Sequence, residues 1–358
     1  MKAHAILLVL SAILLATDAS KSKKPFSGDF SNLIFSDDFE EFDLSIWKHQ
    51  ITMGGGGNWE FEYYLNNRSN SYVRDGVLYM LPTLTSDTIG LNNLQGGYTM
   101  NLWGSSPANL CTGNAFYGCE RTSGGGGNIL NPIQSSSIRT SETFSFKYGR
   151  MEVRAKLPRG DWIWPAIWLL PRYNSYGEWP ASGEIDIVES RGNTDYPGGS
   201  NSFASTLHWG PFYPLDPYSL THEEYTLPSG DFCDDFHVFG LEWTDTYLLT
   251  YLDSPDNIIL NVKINESFWE RGGWDNTNYN NPWYGRPEVA PFDQEYYIIF
   301  DMAVGGTNGY FPDGVGGKPW SDSDPNAVNA FWSALNSWYP TWQGENAAMQ
   351  IDWVKVWQ

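Results

Sequence analysis

Between Gly183 and Ser190 the chain reads GEIDIVES, and three carboxylates, Glu184, Asp186 and Glu189, fall within an otherwise apolar, β-branched run. Charge in a buried strand is costly unless it is paired or used. Side chains alternate across a strand, so Glu184 and Asp186 share a face, whereas Glu189 should point away. One extra residue at Ile187 or Val188, a β-bulge, returns all three to one face, and bulges re-aim side chains beside active sites. Four effective strand steps then part the outer two Cα atoms by roughly 13 Å. Two glutamate side chains leaning together close this to the roughly 5 Å of a retaining glycosidase pair. Such a pair can break an acetal, one carboxylate attacking the anomeric carbon while the other protonates the leaving oxygen. The competing readings of the string are a solvated strand edge and half of a calcium site. The apolar neighbours Ile185, Ile187 and Val188, and a tryptophan-rich segment just before, favour chemistry.

Strands must position these acids, and period-two patterns dominate. Met151, Val153, Ala155 and Leu157 alternate with Glu152, Arg154 and Lys156, which describes a strand with one face buried. Similar strands are expected at Phe203 to His208, Phe236 to Trp243, Tyr247 to Asp253, Tyr297 to Ala303 and Met349 to Trp357, separated by Gly, Pro, Asn and Asp clusters. Many short strands with almost no helical pattern imply an all-β fold, an antiparallel sandwich or barrel. One short helix is expected after Asp324 as N-cap and Pro325 at the first position, with Val328, Phe331, Trp332 and Leu335 at helical spacing. The glycine runs Gly54 to Gly57 and Gly124 to Gly127 lack the following Gly-Lys-Ser/Thr of a phosphate loop. They are read as flexible loops.

Residues 1 to 20 carry Lys2, an apolar run and small residues at Ala19 and Ser20, the form of a secretory signal peptide. Its apolar run is too short to span a bilayer comfortably. The remaining residues, 21–358 with a lead-in at 21–30, are read as one domain, since neither linker nor repeat divides them. A formal net charge of −21 opposes nucleic acid and anionic membrane as partners, while leaving a neutral polysaccharide unaffected. Of three cysteines, Cys111 and Cys119 bracket a short loop and are expected to pair in an oxidising compartment, leaving Cys233 as a buried thiol. Asn67 and Asn265 head glycosylation sequons. The histidines form no metal-like spacing.

Glu-x-Asp-x-x-Glu, together with YGRMEVRAKLPRGDWIWPAIWLLP upstream and LHWGP, FHVFGLEWT, MAVGG and MQIDWVKVW downstream, resembles glycoside hydrolase family 16 in its laminarinase branch. The resemblance covers nearly the whole chain after the first 30 or so residues. It implies a jelly roll with a concave open cleft, Glu184 as nucleophile, Glu189 as general acid then base, and Asp186 as the group that orients a neighbouring carboxyl. Trp164 and Trp168 match sugar-stacking positions, with Trp162 and Trp179 nearby. Asn58 matches a sugar contact, and His208 a residue near the leaving group. Pyranose C–H faces stack on indole, and 18 tryptophans supply the means. Some relatives bind calcium through an acid at Asp352, so a structural calcium is possible while no cofactor is required. A commonly basic position is Ser137 here, which bears on subsite preference.

The reading that follows is a secreted, monomeric endo-β-1,3-glucanase acting with retention on laminarin-type glucan. Its rivals are a non-catalytic β-1,3-glucan recognition lectin and a hydrolase of mixed-linkage β-glucan. The retained Glu184 and Glu189 favour catalysis.

Overall fold

The computed structural model describes residues 28–104, 110–124 and 127–358. The signal-peptide reading, most of the lead-in and the centre of the second glycine run lie outside them. In Gly149–Lys156 buried and half-buried positions alternate without a break, as its sequence pattern requires. This strand sits inside a sheet whose order is Ile258–Lys263, Tyr247–Leu252, His237–Trp243, Gly149–Lys156, Met349–Trp357, Val77–Met80 and Ser71–Arg74, with Leu33–Asp37 also paired to Met349–Trp357.

The second sheet runs His222–Thr226, Ser202–His208, Glu184–Ser190, Ile163–Pro171, Tyr296–Val304, Ser137–Arg139 and Lys48–His49. Every pairing in the two large sheets is antiparallel. A parallel pairing joins Glu62–Tyr64 to Ile133–Ser135 in a small third sheet. The two large sheets bury one shared core, in which Val153, Leu241 and Val354 from one sheet meet Ile167, Ile185 and Phe300 from the other. This is an antiparallel sandwich, as the strand pattern predicts, and the jelly roll that the family resemblance implies.

The expected helix begins later than its sequence suggests, at Ala327–Ser333. Asp324 accepts from the backbone N–H of Asn326 at 2.8 Å and so closes a turn before the helix. Phe331 and Trp332 pack into a second apolar cluster with Phe61, Trp162, Trp164 and Trp320. Cys111 and Cys119 form the expected disulfide, and Cys233 is a half-buried free thiol that burial pushes up to about 11. No helix among the described residues is long and apolar enough to cross a membrane.

Candidate active site

Register shows how the three acids come together. Asp186 lies opposite Trp168 on one neighbouring strand and Thr206 on the other, whereas Glu189 lies opposite Ala166 and Ala204. Val188 pairs with Ile167, so Ile187 is the additional residue, at one of the two positions expected for the bulge. Ile185, Ile187 and Val188 all enter the core. Glu184, Asp186 and Glu189 therefore share the face turned away from it.

Each glutamate has its own indole donor. Trp179 donates its N–H to Glu184 Oε2 at 2.9 Å, and Trp164 donates to Glu189 Oε1 at 3.1 Å. His208, across from Glu184 in register, places Nε2 3.3 Å from Asp186 Oδ2. That contact is an ion pair outside good hydrogen-bond geometry, since the same oxygen has no hydrogen-bond partner. On its other side His208 Nδ1 meets Asp216 Oδ2 at 2.6 Å, and Asp216 is fixed by the backbone N–H of Trp209 at 3.2 Å.

The electrostatics follow from burial and crowding. Burial, and then the charge of Asp186, push Glu184 well above the ordinary carboxylate range, opposed by His208 and the Trp179 N–H. The same two causes push Glu189 up to about 7, opposed by His208, Trp164 and Arg191. Burial works against charge on His208, but its contacts with Asp186 and Asp216 and the field of Glu184 outweigh it and raise the imidazole well above its usual value. Glu184, Asp186 and His208 form a compact charged cluster, with one ligand atom of each within 4.8 Å of the others. Both glutamates are raised, and the charge of His208 opposes the rise on each.

A second set of acids backs the neighbouring tryptophan. Half-buried Trp168 donates its N–H to Asp301 Oδ1 at 2.5 Å, and Asp301 Oδ2 accepts from Tyr64 at 2.8 Å. The Tyr64 hydroxyl also lies 3.5 Å from Glu60 Oε2, while Glu60 Oε1 accepts from the Asn58 amide at 2.9 Å. Asn58 and Trp168 are thus ends of one polar chain. Burial pushes Asp301 up to about 7.

Several expected residues make contacts that the sequence did not indicate. Trp162 is 3% exposed and packs edge-on against Phe311 and Trp320, so it is core and its indole offers no face to a sugar. Trp164 has one face covered by Tyr310, stacked at 3.8 Å, and its placement serves Glu189. Gly54 to Gly57 are a hydrogen-bonded turn rather than a loose loop: Gly55, Gly56 and Gly57 take positive φ, and a Cβ on Gly56 would lie 2.5 Å from Glu60 Oε1. Asp352 is paired with Arg154, whose guanidinium lies over Phe236. Ser137 donates to Gln50 at 2.8 Å in a buried setting.

Asp216, Asp301 and Glu60 were missed by the sequence reading. Asp301 carried a usable signal, a lone acid inside YYIIFDMAV, the same mark that exposes Glu184. Asp216 lies in an irregular loop where no periodicity flags an acid.

Similarity to known proteins fits this geometry. A family model described as glycosyl hydrolases family 16 matches residues 113–278. A β-1,3-glucan-binding protein of Penaeus monodon is 49% identical over 98% of this chain and 97% of its own length. A glucan endo-1,3-β-glucosidase A1 of Niallia circulans is 32% identical over 77% of this chain, which spans 34% of that protein. Among solved structures, a laminarinase from Rhodothermus marinus superposes with a TM-score of 0.55 at 25% identity, covering 91% of this chain and 97% of the other.

Proposed function

Since the chain belongs to glycosyl hydrolase family 16, we propose that it is a secreted endo-β-1,3-glucanase that cleaves laminarin-type glucans with retention of configuration. One observation carries the reading: a bulge at Ile187 turns Glu184, Asp186 and Glu189 to one face, with a separate indole N–H on each glutamate. In the first step the Glu184 carboxylate attacks the anomeric carbon while the Glu189 carboxyl protonates the departing glycosidic oxygen. A glycosyl ester on Glu184 and a shortened glucan result. Glu189, now a carboxylate, takes a proton from water, whose oxygen attacks the same carbon and frees Glu184. His208, held between Asp186 and Asp216, supplies the positive charge that opposes protonation of Glu184, against the neighbouring charge of Asp186.

The name of the Penaeus relative favours a second reading, recognition of β-1,3-glucan without cleavage. Reducing-end release from laminarin, lichenan and carboxymethyl-cellulose, measured side by side with a Glu184→Gln control, separates the two. The enzymatic reading expects release from laminarin above the others and none from the control. Retained binding to laminarin with no release from any substrate would overturn it in favour of recognition.

A further inference from the structure

Three bulky aromatic residues combine exposure with a backbone that such residues rarely adopt. Trp59, Phe116 and Tyr117 have φ of +55°, +53° and +60°, and are 50%, 46% and 75% exposed. A left-handed conformation in a large residue is a steric outlier that persists only where surrounding structure over-determines it. That structure is present. The Cys111–Cys119 disulfide closes the loop holding Phe116, Met53 N donates to Gly118 O at 2.7 Å, Thr52 Oγ1 donates to Gly113 O at 2.7 Å, and Arg121 clamps the Phe116 carbonyl at 2.9 Å. Trp59 meets Phe116 edge to face with centroids 5.6 Å apart.

Two short routes tie this pair to the acids. The Asn58 carbonyl accepts from Thr307 N at 2.8 Å, and the loop that follows carries Tyr310, which stacks on Trp164, the donor to Glu189. On the other side of Trp59, Glu60 leads through Tyr64 and Asp301 to Trp168. We propose that Trp59 and Phe116 form an outer stacking shelf for β-1,3-linked glucose units, continuing the cleft past Asn58 and Trp168. The inference rests on the glucan reading above and extends it to chain length. Exposed aromatic faces suit pyranose C–H surfaces, and a net charge of −21 favours a neutral chain over an anionic one.

The test uses laminari-oligosaccharides of three and seven units, titrated calorimetrically into full-length protein carrying Glu184→Gln. Adding Trp59→Gly removes the ring and relieves the left-handed strain, so the thermal transition should be kept. The expected result is a loss of affinity for the heptaose at least about tenfold greater than for the triose, a smaller loss in the same direction with Phe116→Gly, and near-complete recovery with Trp59→Phe. Equal losses at both lengths, or none, would overturn the shelf while leaving the glucan reading intact. A Glu184→Gln parent that binds neither oligosaccharide would overturn both.

Discussion

His208 Nδ1 and Asp216 Oδ2 lie 2.6 Å apart, and through this contact an acid from an irregular loop acts on the strand Glu184–Ser190, because the opposite nitrogen of the same ring faces Asp186. Asp216 raises the imidazole, and the imidazolium in turn opposes protonation of Glu184 and Glu189. Asp216→Asn keeps the shape and removes the charge. His208 then loses its proton at lower pH, Glu184 stays protonated to higher pH, and the acid limb of the kcat/KM profile should move upward by up to about one unit. A profile of unchanged position on laminarin, with reduced height only, would show that Asp216 merely packs the loop.

Trp164→Phe addresses Glu189 alone. The indole N–H favours the charged carboxylate, so its loss should lift Glu189 above about 7 and carry the basic limb of the profile upward. A charge-assisted hydrogen bond is worth about 1.5 to 3 kcal/mol, which sets kcat lower by roughly tenfold to a hundredfold if the bond is made in the second step. Rate profiles on laminarin between pH 5 and 9 check this, with the thermal transition as a control for packing.

Asp301 supplies a stability prediction whose sign follows from burial. Its folded value of about 7 stands above the ordinary 3.8, so the folded state keeps a proton that the unfolded chain releases between those values. The stabilisation is complete below about 3.8 and is lost as pH rises through about 7. Asp301→Asn has no proton to lose, and Tyr64 can turn its hydroxyl to accept from the new amide. Urea unfolding should show the variant gaining on the parent between pH 5 and pH 8, by an amount on the order of 2 to 4 kcal/mol. A difference that does not change with pH would mean that Asp301 is ionised throughout.

The strand Glu184–Ser190 was legible because its acids interrupt its own pattern. Three acids in a β-branched run break period two in a way that one bulge repairs, and the bulge lies at Ile187. Strict alternation in Gly149–Lys156 likewise foretold its buried face. Tryptophan roles were less legible, because composition cannot separate an indole that stacks on sugar from one that fills a core or orients an acid. Trp162 fills the core and Trp164 donates to Glu189, though the two lie only two residues apart in one segment. The helix was misplaced since Asp324 and Pro325 form a good turn as well as a good cap. Asp216 depends on a loop conformation that no local spacing encodes.

The division of labour between the two glutamates is the central claim, and chemical rescue tests it most directly. Glu189→Ala removes proton donation, so laminarin cleavage should fall by about 10²- to 10⁴-fold, yet an activated aryl β-glucoside with a good leaving group can still load Glu184. Azide should then restore turnover, because a small anion can attack the glycosyl ester without the base that water needs. Proton NMR of the first product should show a β-glycosyl azide, the stereochemistry of two inversions. An α-azide, or rescue in Glu184→Ala and not in Glu189→Ala, would contradict the roles assigned to Glu184 and Glu189.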